Sequence, residues 1–223
     1  HDALRATAWV VVEALEKLGS RGFVVENVPE FANWALFPVW LEALKRLGYH
    51  TSYTVLDAAD CGVAQHRKRF FLVGSKARVR LPALMPQASR YVPVSRALDL
   101  GTLGTPVTAE TSKLGQRTHH QIQCGIAEHG GRPFLVPYYG SQRRSGSTRG
   151  IDRPCGTITT VERYGLWNAG TYRMLSVQEY RRIMGFDDTL ILPAKRPDAI
   201  KMLGNAVCPP AAAYAIRCLL RSL

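Results

Sequence analysis

Residues 23–25 are Phe-Val-Val, and two polar residues, Glu26 and Asn27, follow at once, ahead of Val28 and Pro29. A β-branched and aromatic run closed by polar residues and a proline predicts a buried strand arriving at a functional edge. In α/β sheets, ligands bind outside the carboxyl ends of the strands. A carboxylate at position 26 therefore stands where a site is expected, and the rest of the chain has to say what the site is for.

The surrounding pattern supports the strand. Leu4, Ala8, Val11, Val12, Leu15 and Leu18 recur at helical spacing, and Gly19 closes the run. Residues 35–47 predict a second helix, with Pro38 in its first turn and Gly48 at its end. "YHTSYTVLDA" and "KRFFLVGS" read as strands joined by the loop "ADCGVAQHR". The order helix–strand–helix–strand–loop–strand is that of an α/β sheet with a hairpin near one edge. Residues 1–75 form this part. From 76 to 172, Gly, Pro, Thr and Arg replace long apolar periods, which predicts a smaller, irregular, β-rich domain. Residues 173–223 return to helices: Ser176 and Glu179 have capping-box spacing, and Pro209 and Pro210 open the last helix.

Charge narrows the partners. The 223 residues hold 29 Lys and Arg against 17 Asp and Glu, a net charge of +12, which favours a polyanion, nucleic acid before membrane. No apolar run reaches membrane-spanning length. The five cysteines, Cys61, Cys124, Cys155, Cys208 and Cys218, are odd in number and include no Cys-x-x-Cys pair. They suit a reducing cytoplasm rather than a disulfide framework or a zinc ribbon. His119, His120, Cys124 and His129 lack the spacing of two tight ligand pairs, so no metal site is expected.

Four segments stand in a recognisable order: E-N-V at 26–28, Q-H-R-K-R at 65–69, "RMLSVQEYRRIMGF" at 173–186 and G-N-A-V at 204–207. Each alone is weak. Together, around a variable basic stretch, they resemble the C-terminal conserved motifs of cytosine-5 DNA methyltransferases. The resemblance spans nearly the whole chain, apart from the detail of 76–150. It implies the C-terminal half of a doubly wound, Rossmann-like methyltransferase sheet, carrying a small β-rich target-recognition domain. It also implies S-adenosylmethionine as cofactor, double-stranded DNA as partner, and a cytoplasmic protein of bacterial or phage type.

Roles follow residue by residue. Glu26 matches the glutamate that holds a flipped cytosine by N3 and its exocyclic amine. Thiolate attack at C6 drives negative charge onto the ring, and a proton donor at N3 stabilises it. A carboxyl group at a dry strand end tends to keep its proton to higher pH. Asn27 matches a bracing residue beside it. Gln65, Arg67 and Arg69 match Q-x-R-x-R, whose second arginine reaches the cytosine O2. Ala64 stands where proline is usual, a departure that loosens the loop. Asn205, Ala206 and Val207 match the segment closing the S-adenosylmethionine pocket, with Gly204 letting the backbone approach the cofactor. In the recognition stretch, Arg143, Arg144, Arg149 and Thr157 are the candidate DNA contacts, since arginine and threonine reach phosphates and base edges.

Two family features are missing from this sequence: a glycine-rich first motif and a Pro-Cys loop ahead of E-N-V. Pro154-Cys155 comes after E-N-V and matches the stretch before R-x-L-S, so Cys155 is not expected to be the nucleophile. The chain also opens on His rather than Met. Three explanations stay open: a longer enzyme whose N-terminal half lies outside this sequence, an enzyme split into two polypeptides, or an inactive remnant. Two other functions also stay open, a non-catalytic DNA-binding subunit and a transfer-RNA methyltransferase.

Overall fold

The computed structural model describes residues 7–85, 87–108, 114–138 and 148–223. The chain divides into two compact units. One comprises His1–Cys61, Lys68–Pro86 and Pro210–Leu223; the other comprises Gly62–Arg67 and Gln87–Pro209.

In the first unit, helix α1 (Ala8–Leu18) stops at Gly19, whose left-handed φ of 57° lets its N–H reach the Leu15 carbonyl. Helix α2 (Phe37–Arg46) carries Pro38 in its first turn, where a missing N–H costs little. Strands β1 (Gly22–Asn27), β2 (His50–Asp57) and β3 (Lys68–Ser75) form one sheet in the order β1-β3-β2. Both pairings are antiparallel, so β1 and β2 run the same way with β3 between them. The expected hairpin is present, but its second strand is central among the three. The reason is apolar content: Phe70–Ser75 are buried throughout, as a strand covered on both sides must be, whereas all six residues of β1 are only half buried.

The core of this unit is aromatic. Phe31, in the short helical turn Pro29–Asn33 just after Glu26 and Asn27, lies 5.4 Å from Trp40 and 5.5 Å from Phe70 between ring centroids, both edge-on. Trp40 is fully buried and donates its indole N–H to the Ala8 carbonyl at 2.9 Å. The turn that leaves the strand end is thus nailed into the core, and this holds the backbone at 26–28 in place.

The second unit is built on a five-stranded antiparallel sheet. Its strands are β4 (Thr105–Pro106), β5 (Phe134–Pro137), β6 (Arg149–Gly150), β7 (Tyr164–Asn168) and β8 (Thr171–Met174), in the order β4-β8-β7-β5-β6. One 14-residue helix, α3 (Gln116–His129), covers it, more helix than the sequence texture predicts. Gly125 makes the packing possible: a Cβ there would lie 2.4 Å from the Phe134 ring and 2.8 Å from the Thr148 methyl. Helices α4 (Val177–Ile183) and α5 (Arg196–Asn205) belong to this unit as well. The three-part division at 75/76 and 172/173 therefore does not match the compact units. Residues up to 86 stay with the first unit, where the Leu81 N–H bonds Ser52 Oγ at 3.0 Å and Tyr214 donates to the Pro82 carbonyl at 3.0 Å. Of 173–223, only 210–223 return to it.

What keeps α4 in the second unit is Glu179. The capping box is complete: Ser176 Oγ accepts from the Glu179 N–H, and Glu179 Oε2 accepts from the Ser176 N–H. The same carboxylate, fully buried, takes both Arg173 Nη groups at 2.7 Å and the Asp99 N–H at 2.8 Å. Burial disfavours its charge, but these donors outweigh burial and hold its pKa below the ordinary 4.5. A depressed carboxylate contributes stability above its unfolded pKa, and that contribution is lost as pH falls through the folded value. The thermal stability of wild type is therefore expected to fall steadily below pH 4.5. Glu179→Gln is expected to be less stable at pH 7, yet flatter across the acid range. Equal acid slopes in both proteins would show that Glu179 is not the titrating group.

Candidate active site

Glu26 is the fifth residue of β1 and Arg69 the second of β3. The β1–β3 register pairs Glu26 with Phe71, two residues along from Arg69, so both side chains emerge on one side of the ladder. Arg69 Nε lies 3.2 Å from Glu26 Oε1, and the two side chains are 22% and 25% exposed. This is an ion pair that a ligand can still reach. Asn27 Oδ1 accepts from the Val28 N–H at 2.8 Å, closing the chain reversal after the strand. A cleft of about 570 Å³ opens here, with Glu26, Asn27 and Glu30 on its polar side and Val25, Val28 and Phe31 on its apolar side. That volume lies in the range of small-molecule sites, roughly 300–1,000 Å³.

The other motif residues gather in the second unit. Arg67, 3% exposed, donates from Nη1 to the Ile158 carbonyl at 2.8 Å and from Nη2 to those of Gly204 and Ala206 at 2.8 and 3.1 Å. The two arginines of Q-H-R-K-R thus do different things. Arg67 clamps backbone, whereas Arg69 presents charge beside a carboxylate. Gln65 is fully buried: its Nε2 donates to Met184 Sδ at 2.9 Å and the Ile183 carbonyl at 3.3 Å, and its Oε1 accepts from the Ile158 N–H at 3.0 Å. A short parallel bridge, Gln65 with Cys155, adds main-chain bonds from Cys155 N to the Ala64 carbonyl and from His66 N to the Cys155 carbonyl. The loop is pinned despite Ala64, contrary to expectation.

Gly204 also differs from expectation. It sits inside α5, and a Cβ there would meet the backbone of Thr159 and Thr160 at 2.4 Å. The glycine is needed for packing of chain on chain. Ala206 and Val207 are half buried, and Asn205 is exposed, its side chain without a hydrogen-bond partner among the described residues.

Thr157 gives its hydroxyl proton to the His66 carbonyl at 2.8 Å, so it serves the same bridge. Arg149 lines a basic cavity; Arg143 and Arg144 lie outside the described residues. Cys155 is 2% exposed and burial pushes its thiol up to about 12; burial and the nearby Asp60 and Asp57 raise Cys61 to about 11. Both stay protonated at neutral pH. Cys155 in the native chain is accordingly expected to stay unmodified by a thiol-alkylating reagent at pH 7, as peptide mass spectrometry would read; rapid alkylation would instead make this thiol a reactive one. Among the described residues, no cluster of three metal-ligating side chains occurs.

Sequence reasoning weighed His129 only as a metal ligand and passed over Glu128 and Thr148; the three share one hydrogen-bonded chain beside Arg149. No local signal marks them, because a helix end and a strand 19 residues on meet only in the fold.

A family profile described as C-5 cytosine-specific DNA methylase matches residues 2–221. The type II methyltransferase M.MspI of Moraxella is 26% identical over 206 residues, covering 90% of this chain and 46% of that protein. M.AquIA of Picosynechococcus is 44% identical over 78 residues, 30% of each. The chain spans about half the length of the first two curated relatives it matches. Among solved structures, a prophage-encoded DNA modification methyltransferase from E. coli aligns with a TM-score of 0.64 at 17% identity, over 95% of this chain and 72% of that one. A Spodoptera frugiperda DNMT2 aligns at 0.60 and 13%, over 94% and 70%. These likenesses show a Rossmann-like methyltransferase fold.

Proposed function

Because the chain belongs to the C-5 cytosine-specific DNA methylase family, we propose that it is the part of a DNA (cytosine-5)-methyltransferase that grips the target base and the duplex. The observation that carries this is Glu26, whose carboxylate lines the cleft while Arg69 stands 3.2 Å from it. Cytosine presents an O2 acceptor, an N3 acceptor and an amine donor along one edge. Arg69 donates to O2, a protonated Glu26 oxygen donates to N3, and the other Glu26 oxygen accepts from the amine. C5 and C6 cannot be attacked inside a stacked duplex, so the base is read flipped out. As a thiolate adds to C6, the proton on Glu26 meets the charge that builds at N3.

The thiolate comes from a segment outside residues 1–223, and the assembled enzyme is this chain together with that segment. Strand β1 supports such a partner. It is an edge strand among the described residues and half buried along its length, and unpaired strand edges recruit further strands. S-adenosylmethionine supplies the activated methyl group when bound. Asn205, exposed and unbonded beside backbone that Arg67 clamps, suits its polar part, with Ala206 and Val207 beside it. Among the described residues, no helix is long and apolar enough to cross a membrane.

The experiment is methyl transfer by the assembled enzyme to duplex DNA, single-stranded DNA and transfer RNA in competition, with the product nucleoside identified by mass spectrometry. 5-Methyldeoxycytidine formed preferentially from the duplex is the expected result. Modification of another base, or preference for the RNA, overturns the reading. A non-catalytic binding subunit has no need of an accessible Glu26–Arg69 pair.

A further inference from the structure

The second unit holds a cavity of about 720 Å³ that the chemistry above leaves unused. Its walls carry Arg132, Arg149, Arg153, His66 and His129, against the two acids Glu128 and Asp152. Asp152 lies 3.9 Å from Arg153, both well exposed, and Arg132 Nε is engaged by the His129 carbonyl at 3.2 Å. Arg149 differs. Its guanidinium has no hydrogen-bond or ion-pair partner among the described residues. It lies beside Gly156, where a Cβ would stand 3.0 Å from Nη1 and 2.7 Å from the Tyr164 hydroxyl.

What fixes Arg149 is the residue before it. Thr148 Oγ1 donates to Glu128 Oε2 at 2.8 Å and lies 2.9 Å from His129 Nε2. A hydroxyl has one proton, and Glu128 takes it, so the second bond must use the proton on the imidazole. The His129 ring is itself held, stacked on Phe134 at 5.1 Å, which in turn stacks on Trp167 at 5.1 Å. The Thr148 methyl sits over Gly125. Thr148 is thus locked on both sides. Arg149 follows in β6, an edge strand of two residues that by itself constrains little.

We propose that the Glu128–Thr148–His129 chain is a positioning device that holds Arg149 to receive a phosphodiester of the bound duplex. This rests on the reading of the chain as a DNA methyltransferase. The cationic walls suit a phosphate, whose charge is shared among several donors, and a chain fixed at Thr148 leaves only the Arg149 side chain to be ordered on meeting it.

The test is duplex binding by the assembled enzyme across a salt series, on wild type, Arg149→Ala, Thr148→Val, the double variant and Thr148→Ser. One lost phosphate contact reduces the slope of log affinity against log salt by about 0.9. Arg149→Ala and Thr148→Val are each expected to show that reduction and a several-fold loss of affinity. The double variant should be no worse than either, and Thr148→Ser, which keeps the hydroxyl, should restore wild-type binding. Additive losses in the double variant would make Thr148 merely structural and overturn the proposal. An unchanged slope in Arg149→Ala, with inorganic phosphate protecting wild type from unfolding, makes this a free-phosphate site and overturns the duplex contact. Wild type that binds no duplex at low salt removes the methyltransferase reading and the proposal with it.

Discussion

Glu26→Gln in the assembled enzyme is expected to lower turnover by about 100- to 10,000-fold, the range for loss of a positioned proton donor or acceptor, while duplex binding persists. Glutamine keeps the shape of the side chain and can still meet Arg69, whose Nε is 3.2 Å from Glu26 Oε1. Its amide can hydrogen-bond N3 and accept from the amine, but it cannot give up a proton to N3. Both side chains are about a quarter exposed, so the exchange is expected to change folding stability by less than about 1 kcal/mol, as for other solvent-screened pairs. The measurement is single-turnover methyl transfer beside equilibrium binding and thermal unfolding of the same variant. If turnover and binding both stay at wild-type levels, the acid role of Glu26 is wrong. If unfolding shifts strongly instead, the residue is a structural one.

Arg67→Met is expected to act on stability where Glu26→Gln acts on rate. Its guanidinium feeds the carbonyls of Ile158, Gly204 and Ala206, and no water can easily replace it at 3% exposure. Orphaning buried polar groups costs about 1–3 kcal/mol each, partly offset by the apolar side chain, so a loss of about 3–5 kcal/mol is expected. For a unit of this size that corresponds to roughly 10–20 °C in Tm. Arg69→Met, by contrast, is expected to cost less than about 1 kcal/mol, because Arg69 is partly solvated. Scanning calorimetry of the two variants side by side checks the contrast. Equal shifts would mean that the clamp and the site-facing arginine have been wrongly told apart.

Much of this protein was legible before its structure. The strands at 22–27 and 68–75, the proline-opened helix ending near 46, and the capping box at 176–179 all appear as their residues imply. Each of these depends on neighbours within about one helical turn, where side-chain spacing, a cap hydroxyl or a proline acts directly on the backbone. The four-motif order also led to the family that the comparison with known proteins shows.

Other features depended on residues far apart in the chain. Arg67 and Arg69 are two positions apart and look alike in sequence. One is buried on three carbonyls, the nearest 91 residues away, while the other faces Glu26. Gly204 reads as a turn toward a ligand, yet it is the backbone of Thr159 and Thr160 that occupies its missing side chain. Helix α4 reads as part of the returning domain, but Arg173, Asp99 and Glu179 bind it into the second unit. Local spacing, caps and prolines set the strands and helices of residues 8–75 and the acid that stands at the strand end, though not helix α3. The tertiary structure alone decided which arginine clamps and which one reaches the site, because burial and long-range hydrogen bonds exist only once distant segments meet.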